Sequence, residues 1–229
     1  MPNSDKLAKV RARISTAEQN AKRKPGSVLL LAVSKTRPPE QLVALYKQGQ
    51  RHIGENYLQE AIAKQRSLAH YNFSWHFIGP LQSNKTQAIA QNFSWVHSVD
   101  RLKIARRLSD QRPPTLPKLN ICVQVNISEE KSKSGVNPAH LEELALSIAE
   151  LPNLKLRGLM AIPATHLNFD EQRKPFQALH AKLESLNRRG LSLDTLSMGM
   201  SGDMEAAIFE GATIVRIGTD IFGPRNPKK

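Results

Sequence analysis

Val28-Leu29-Leu30-Leu31-Ala32-Val33, followed at once by Ser34-Lys35-Thr36-Arg37-Pro38, is the stretch on which the fold turns. Six apolar residues without polar alternation are the pattern of a strand covered on both faces, as in a parallel sheet flanked by helices. Upstream, an amphipathic charged stretch from about Asp5 to Lys24 runs to Pro25-Gly26, so residues 1–26 read as an N-terminal helix preceding strand one. Downstream, a helical pattern starts after Pro38-Pro39 and closes at Gly49. Short apolar runs then recur at His52–Gly54, Trp75–Ile78, Trp95–His97 and Ile121–Val125. They continue at Leu154–Met160, Thr195–Met198 and Ile214–Ile217, each set off by a helix-compatible segment. Eight such units predict an α/β fold, a single (β/α)8 TIM-type barrel. An open doubly wound sheet shares this periodicity and stands as the rival architecture. No Gly/Ser-rich linker divides the chain, and Pro113-Pro114 and Pro117 read as a helix stop and a loop. One domain over residues 1–229 is therefore expected.

Composition narrows the function classes. Hydrophobic residues make up 40% of the 229 and charged residues 23%, the balance of a globular chain and not of a disordered one. The single cysteine, Cys122, excludes an internal disulfide framework and a Cys-rich zinc module. No apolar run approaches the roughly 20 residues of a membrane span. Met1-Pro2-Asn3-Ser4-Asp5-Lys6 lacks the apolar core of a signal peptide, so a cytoplasmic location is expected. The formal charge of +13 raises nucleic acid as a partner. Residues 1–26 hold seven of the basic side chains, and the rest are spread with no long block. Such a diffuse excess describes a basic exterior better than a dedicated polyanion site.

In a barrel, chemistry collects just past the C-terminal ends of the strands. Lys35 emerges there directly from an apolar strand, where desolvation favours a neutral, nucleophilic amine able to form a Schiff base. Taken alone it reads rather as an ordinary surface lysine opening a loop, so its partners decide. After strand seven, Met198-Gly199-Met200-Ser201-Gly202-Asp203-Met204-Glu205 runs into a helix, and strand eight ends in Arg216-Ile217-Gly218-Thr219. Small residues and hydroxyls in these two loops suit a phosphate, which barrels of this type commonly hold there. Ser201 or Asp203 could equally cap the helix. Asp203 and Glu205 would repel a phosphate and are expected to face away. A lysine beside two phosphate-type loops points to a phosphorylated carbonyl ligand.

Other strand ends say less. Asn56, in Gly54-Glu55-Asn56-Tyr57, could donate to a ligand oxygen or cap the next helix. Gly79 to Lys85 and Asn126 to Gly135 could bind an anion, with Lys131 and Lys133 also readable as a solvated loop. His52, His76 and His97 lack metal-ligand spacing and read as hydrogen-bonded barrel residues, so no metal is expected. Cys122 reads as core. No G-x-S-x-G elbow, P-loop or H-E-x-x-H motif is present.

Longer motifs carry a family resemblance: Ala32-Val33-Ser34-Lys35-Thr36, Gly54-Glu55-Asn56-Tyr57, His76 through Lys85, Lys133-Ser134-Gly135 and Gly158-Leu159-Met160. Gly199-Met200-Ser201, Asp203 through Ile208 and Arg216-Ile217-Gly218-Thr219 complete the set. Nearly end to end, the chain resembles the bacterial branch of the pyridoxal-phosphate homeostasis protein family. The resemblance implies a barrel similar to the N-terminal domain of alanine racemase, with pyridoxal 5′-phosphate bound as a Schiff base on Lys35. It implies that Ser201, Gly202, Gly218 and Thr219 hold the phosphate, that Arg216 faces the pyridine nitrogen, and that Asn56 lies near the ring. No position departs from this pattern, although the pattern does not require the strong positive charge.

An arginine is too weak an acid to protonate the pyridine nitrogen, and an unprotonated ring is a poorer electron sink. Racemases with this arrangement take a second acid/base group from an additional C-terminal domain, whereas only Asp220 to Lys229, without a tyrosine, follow here. The expectation is a vitamin B6 homeostasis protein with no catalytic residues of its own. It would hold pyridoxal phosphate and other B6 vitamers, and deliver the cofactor transiently to apo-enzymes as a monomer, without membrane or nucleic acid. The alternatives are a racemase-like pyridoxal-phosphate enzyme and a basic nucleic-acid-binding protein. Lys85, Lys131, Lys133 and Lys228-Lys229 are candidate secondary anion contacts.

Overall fold

The computed structural model describes residues 3–128 and 134–224. Lys131, Lys133, Lys228 and Lys229 lie outside the described residues. Eight strands follow one another in the chain: β1 (Leu29–Val33), β2 (His52–Glu55), β3 (Ser74–Phe77), β4 (Trp95–Val99), β5 (Leu119–Gln124), β6 (Leu154–Met160), β7 (Thr195–Ser197) and β8 (Ile214–Ile217). Each pairs in parallel with the next, and β1 also pairs with β8, with Leu31 opposite Arg216. The sheet is a closed barrel, which rules out the open doubly wound arrangement. Closure makes neighbours of the first and last strands and so brings the Lys35 loop beside the Arg216 loop.

The connecting helices are α1 (Asn3–Asn20), α2 (Pro39–Lys47), α3 (Leu58–Ser67), α4 (Thr86–Asn92), α5 (Leu102–Asp110), α6 (Leu141–Ala149), α7 (Phe169–Arg188), α8 (Met204–Phe209) and α9 (Thr219–Phe222). Their apolar positions recur at three- and four-residue spacing, as in Leu141, Leu144, Ala145 and Ile148 of α6 or Phe176, Leu179, Leu183 and Leu186 of α7, and all of these are buried. Helix α1 ends at Asn20, six residues before the end of the helix expected over residues 1–26. Lys22 adopts a left-handed φ of 53°, while Arg23 N donates to Glu18 O and Lys22 N to Gln19 O. That pair of bonds closes the helix in a Schellman turn before Pro25 is reached. Among the described residues, no helix is long and apolar enough to cross a membrane.

Candidate cofactor site

A cavity of about 240 Å³ opens at the C-terminal ends of the strands. Lys35, Asn56, Ser201, Gly202, Arg216, Gly218 and Thr219 all line it, with Val33, Ile78, Ile162 and Met200 as its apolar walls. The chain thus gathers in one place every residue singled out as a cofactor contact.

Lys35 stands in the turn just beyond β1, where Arg37 N donates to Ser34 O at 3.0 Å. It is half-buried, so the desolvation expected from the apolar strand is only partial. The turn itself is braced from beneath. Lys64 Nζ, nearly fully buried, donates to Ser34 O at 2.6 Å, to Glu55 Oε1 at 2.6 Å and to Glu60 Oε1 at 2.5 Å. Ser34 Oγ donates to the same Glu55 oxygen, and Thr36 N donates to Glu60 Oε1 at 2.6 Å. Backbone groups on both sides of Lys35 are therefore fixed. Thr36 has a φ of 64°, an unusual conformation for a β-branched residue, and the Glu60 bond helps hold it there.

Arg216 is buried at 4% exposure, and its guanidinium is shared among three acceptors. Nη1 donates to Ser197 O at 2.5 Å and to Ser197 Oγ at 3.0 Å, and Nη2 donates to Ala161 O at 2.8 Å. Burial lowers its pKa to about 10, opposed by Asp203, so the group remains a cation at neutral pH. It offers the cavity a fixed positive charge and a poor acid.

Asn56 does not cap α3, whose N-cap is Tyr57 without a side-chain bond. Its Oδ1 is buried and has no hydrogen-bond partner among the described residues. Gly79, just beyond β3, packs so closely on this segment that a Cβ there would fall 2.1 Å from Asn56 O, so only glycine fits at this position. At Gly202, by contrast, an added Cβ would meet nothing within 4 Å.

The two acidic residues of the strand-seven loop are engaged elsewhere. Asp203 Oδ1 accepts from Met200 N at 2.6 Å and makes no cap bond to α8. Glu205 is held by Arg13 of α1, which also donates to Ser201 O at 3.1 Å and to Asp220 Oδ2 at 2.5 Å. One guanidinium from α1 therefore ties the loop after β7 to the first turn of α9. The Gly79–Lys85 segment has no part in the cavity; Arg101 donates to Leu81 O and Arg107 to Ser83 O.

Residues 6–226 match the family model described as alanine racemase, N-terminal domain. The pyridoxal phosphate homeostasis protein of Pseudomonas aeruginosa is 57% identical over 223 residues, covering 97% of this chain and 96% of the relative. That of Escherichia coli is 51% identical over 226 residues, covering 97% of each. The chain belongs to the pyridoxal phosphate homeostasis protein family. Among solved structures, PipY of Synechococcus elongatus with pyridoxal phosphate bound has a TM-score of 0.81 at 37% identity, over 92% of this chain and 100% of that one. Alanine racemase of Clostridium difficile has a TM-score of 0.73 at 14% identity, over 95% of this chain and 60% of that one, a likeness of fold alone.

Within this family member, Arg13 and the buried Lys64–Glu55–Glu60 brace escaped the sequence reading. His52, His76 and His97 are the hydrogen-bonded barrel residues expected, but their joining into one line below Arg216 was not foreseen. Arg13 is one of seven basic residues in the first 26, and nothing local marks it out. Lys64 and Glu60 carry the i,i+4 signal of a solvent-facing helix pair, yet Lys64 is 4% exposed because its ammonium reaches the end of β1.

Proposed function

We propose that this chain binds pyridoxal 5′-phosphate in the β1/β7/β8 cavity, as one barrel domain, and serves vitamin B6 homeostasis by holding the cofactor reversibly and releasing it to apo-enzymes. The observation that carries the reading is the convergence of Lys35, Arg216 and the two Gly/hydroxyl loops on a single cavity. Bound there, the cofactor supplies an aldehyde that condenses with a primary amine and loses water.

The residues fit that ligand. Lys35 offers the amine. Ser201 and Thr219 offer hydroxyls for the phosphate, and the space at Gly202 leaves its backbone accessible to it. Arg216, which lines the same cavity, would partner the pyridine nitrogen, since a cation of pKa about 10 can donate a hydrogen bond without surrendering its proton. The orphaned Oδ1 of Asn56 marks a polar position awaiting a ligand group near the ring, by itself or with the side-chain amide turned over. Close relatives named as homeostasis proteins align over nearly their whole length, whereas the alanine racemase aligns over 60% of its own. The naming of these relatives supports a homeostasis role.

Absorption spectroscopy tests the ligand and the anchor together. Added pyridoxal phosphate should produce the visible band of a conjugated lysine adduct, borohydride should abolish it, and the label should map to Lys35. Lys35→Ala should show no band. A band that persists in Lys35→Ala overturns the anchor, and no band in the native chain overturns the ligand. Delivery is tested by mixing loaded protein with an apo-enzyme. Reactivation no faster than from borohydride-fixed protein removes the delivery role. Exchange of amino-acid α-protons in heavy water would restore the racemase alternative.

A further inference from the structure

Below Arg216 the barrel interior is crossed by a line of hydrogen-bonded side chains. His52 Nδ1 lies 3.0 Å from His76 Nε2, and His76 Nδ1 lies 2.9 Å from His97 Nε2. His97 Nδ1 lies 2.7 Å from Ser197 Oγ, which accepts from Arg216 Nη1 at 3.0 Å. The line draws on β2, β3, β4, β7 and β8. His76, His97 and Ser197 are fully buried. Its upper end lines the mouth cavity, and its lower end, His52 at the start of β2, lines a separate cavity of about 480 Å³. The rings bond to one another in sequence and do not converge on a point, so this is not a metal centre.

Satisfying every group selects one direction. Arg216 can only donate, so Ser197 Oγ accepts from it. The serine proton then has an acceptor in His97 Nδ1, which makes His97 the Nε2–H tautomer. His97 Nε2–H donates to His76 Nδ1, and His76 Nε2–H in turn donates to His52 Nδ1. With the histidines reversed, Ser197 would receive two donors, and its own buried hydrogen would have no acceptor in the line. Protonated rings are also disfavoured. Burial and the Arg216 charge bring His97 down to about 3, and burial holds His76 well below its usual range. The line is therefore a static array of neutral rings and not a proton conduit.

We infer that His97, supported by His76, is a positioning residue for Arg216, drawing the Ser197 hydroxyl hydrogen away so that its oxygen stays turned to the guanidinium. This rests on the proposed role of Arg216 opposite the pyridine nitrogen. Without the His97 acceptor, the Ser197 hydrogen competes for the space of Arg216 Nη1, and the guanidinium loses one of its three fixed acceptors.

Nitrogen-15 NMR of the cofactor-free protein tests the array without any ligand. Both His76 and His97 should be Nε2–H tautomers at neutral pH, and an Nδ1–H tautomer at His97 overturns the direction. Two substitutions then separate positioning from packing. His97→Asn places an amide near the Nδ1 position and keeps an acceptor for Ser197; His97→Gln reaches the Nε2 position and keeps only the contact with His76. Arg216 guanidinium resonances should stay resolved in the native protein and in His97→Asn, and average in His97→Gln. The dissociation constant for pyridoxal phosphate should stay within about twofold in the first and rise about tenfold in the second, the effect of one lost hydrogen bond to a charged group. Equal behaviour of the two variants overturns the proposal. Should either fail to fold, Ser197→Thr against Ser197→Ala makes the same comparison: threonine retains the resolved Arg216 signals and alanine loses them, and equal signals reject positioning. Absence of cofactor uptake by the native protein would refute the proposed function while leaving the resonance criteria in force.

Discussion

Arg13 and Glu205, on α1 and α8, meet through two parallel hydrogen bonds, Nε to Oε1 at 2.8 Å and Nη2 to Oε2 at 3.1 Å. Because the same guanidinium reaches Ser201 O and Asp220, α1 acts as a tie across the two loops assigned to phosphate. It also draws the Glu205 charge toward α1.

Arg13→Ala should therefore loosen phosphate binding more than it unfolds the barrel. The pair is 39% and 41% exposed, so its contribution to stability is small, under about 1 kcal/mol. Freed Glu205 and Asp220, in contrast, would put uncompensated negative charge beside the phosphate loops. The expected result is a several-fold rise in the dissociation constants for pyridoxal phosphate and for competing inorganic phosphate, with a nearly unchanged urea midpoint. A large midpoint shift with unchanged affinity would make the tie purely architectural.

Lys64 behaves in the opposite way. Its ammonium sits at 4% exposure against Glu55 at 0%, so Lys64→Met leaves a buried carboxylate without its cation. The expected cost is about 3–5 kcal/mol in urea denaturation. Lys64→Met combined with Glu55→Gln should recover a large part of it, because a neutral amide needs no counter-charge. Additive losses in this double-mutant cycle would show that the two side chains are not coupled.

The barrel was legible because strands covered on both faces are continuous apolar runs, and Leu154–Met160 and Ile214–Ile217 have the same limits in sequence and structure. At β4 the apolar signal fails after His97, although the strand runs on to Val99, because Ser98 is buried by donating to Gly79 O. Lys35, Ser201 and Arg216 could be found because each follows or closes a strand in a motif of its own. The histidines read as hydrogen-bonded barrel residues, as they are, but not as one array. Its members lie 24 and 21 residues apart, and only the parallel register, with His76 opposite Gly54 and Trp95, sets them side by side. Arg13 and Lys64 were hidden for a related reason: long cationic side chains on helices look solvated until the fold shows where their ends reach.

Cys122 should be inert in the folded protein. It is fully buried in β5, and burial pushes its thiol up to about 12, so essentially no thiolate forms at neutral pH. Ellman's reagent should react with it at the rate of unfolding, faster by orders of magnitude in denaturing urea than in buffer. Rapid reaction of the native protein would mean that the barrel wall opens locally near β5.

The buried rings also set the acid stability. Unfolded, His76 and His97 titrate near the ordinary value of about 6.5. Folded, His97 titrates at about 3 and His76 well below its usual range, so between these limits the unfolded chain binds more protons. Both are bases whose folded value is depressed. Their contribution is complete above roughly pH 6.5 and is lost as the pH falls, that of His97 toward about 3. Each ring steepens the loss by up to about 1.4 kcal/mol per pH unit below that point. Urea denaturation from pH 7 down to pH 4 should show this decline. His97→Asn, which cannot titrate, should remove one proton from the slope while leaving the carboxylate contributions in place. Parallel pH profiles for the native chain and His97→Asn would mean that His97 is protonated in the folded barrel, contrary to its place between His76 and Ser197.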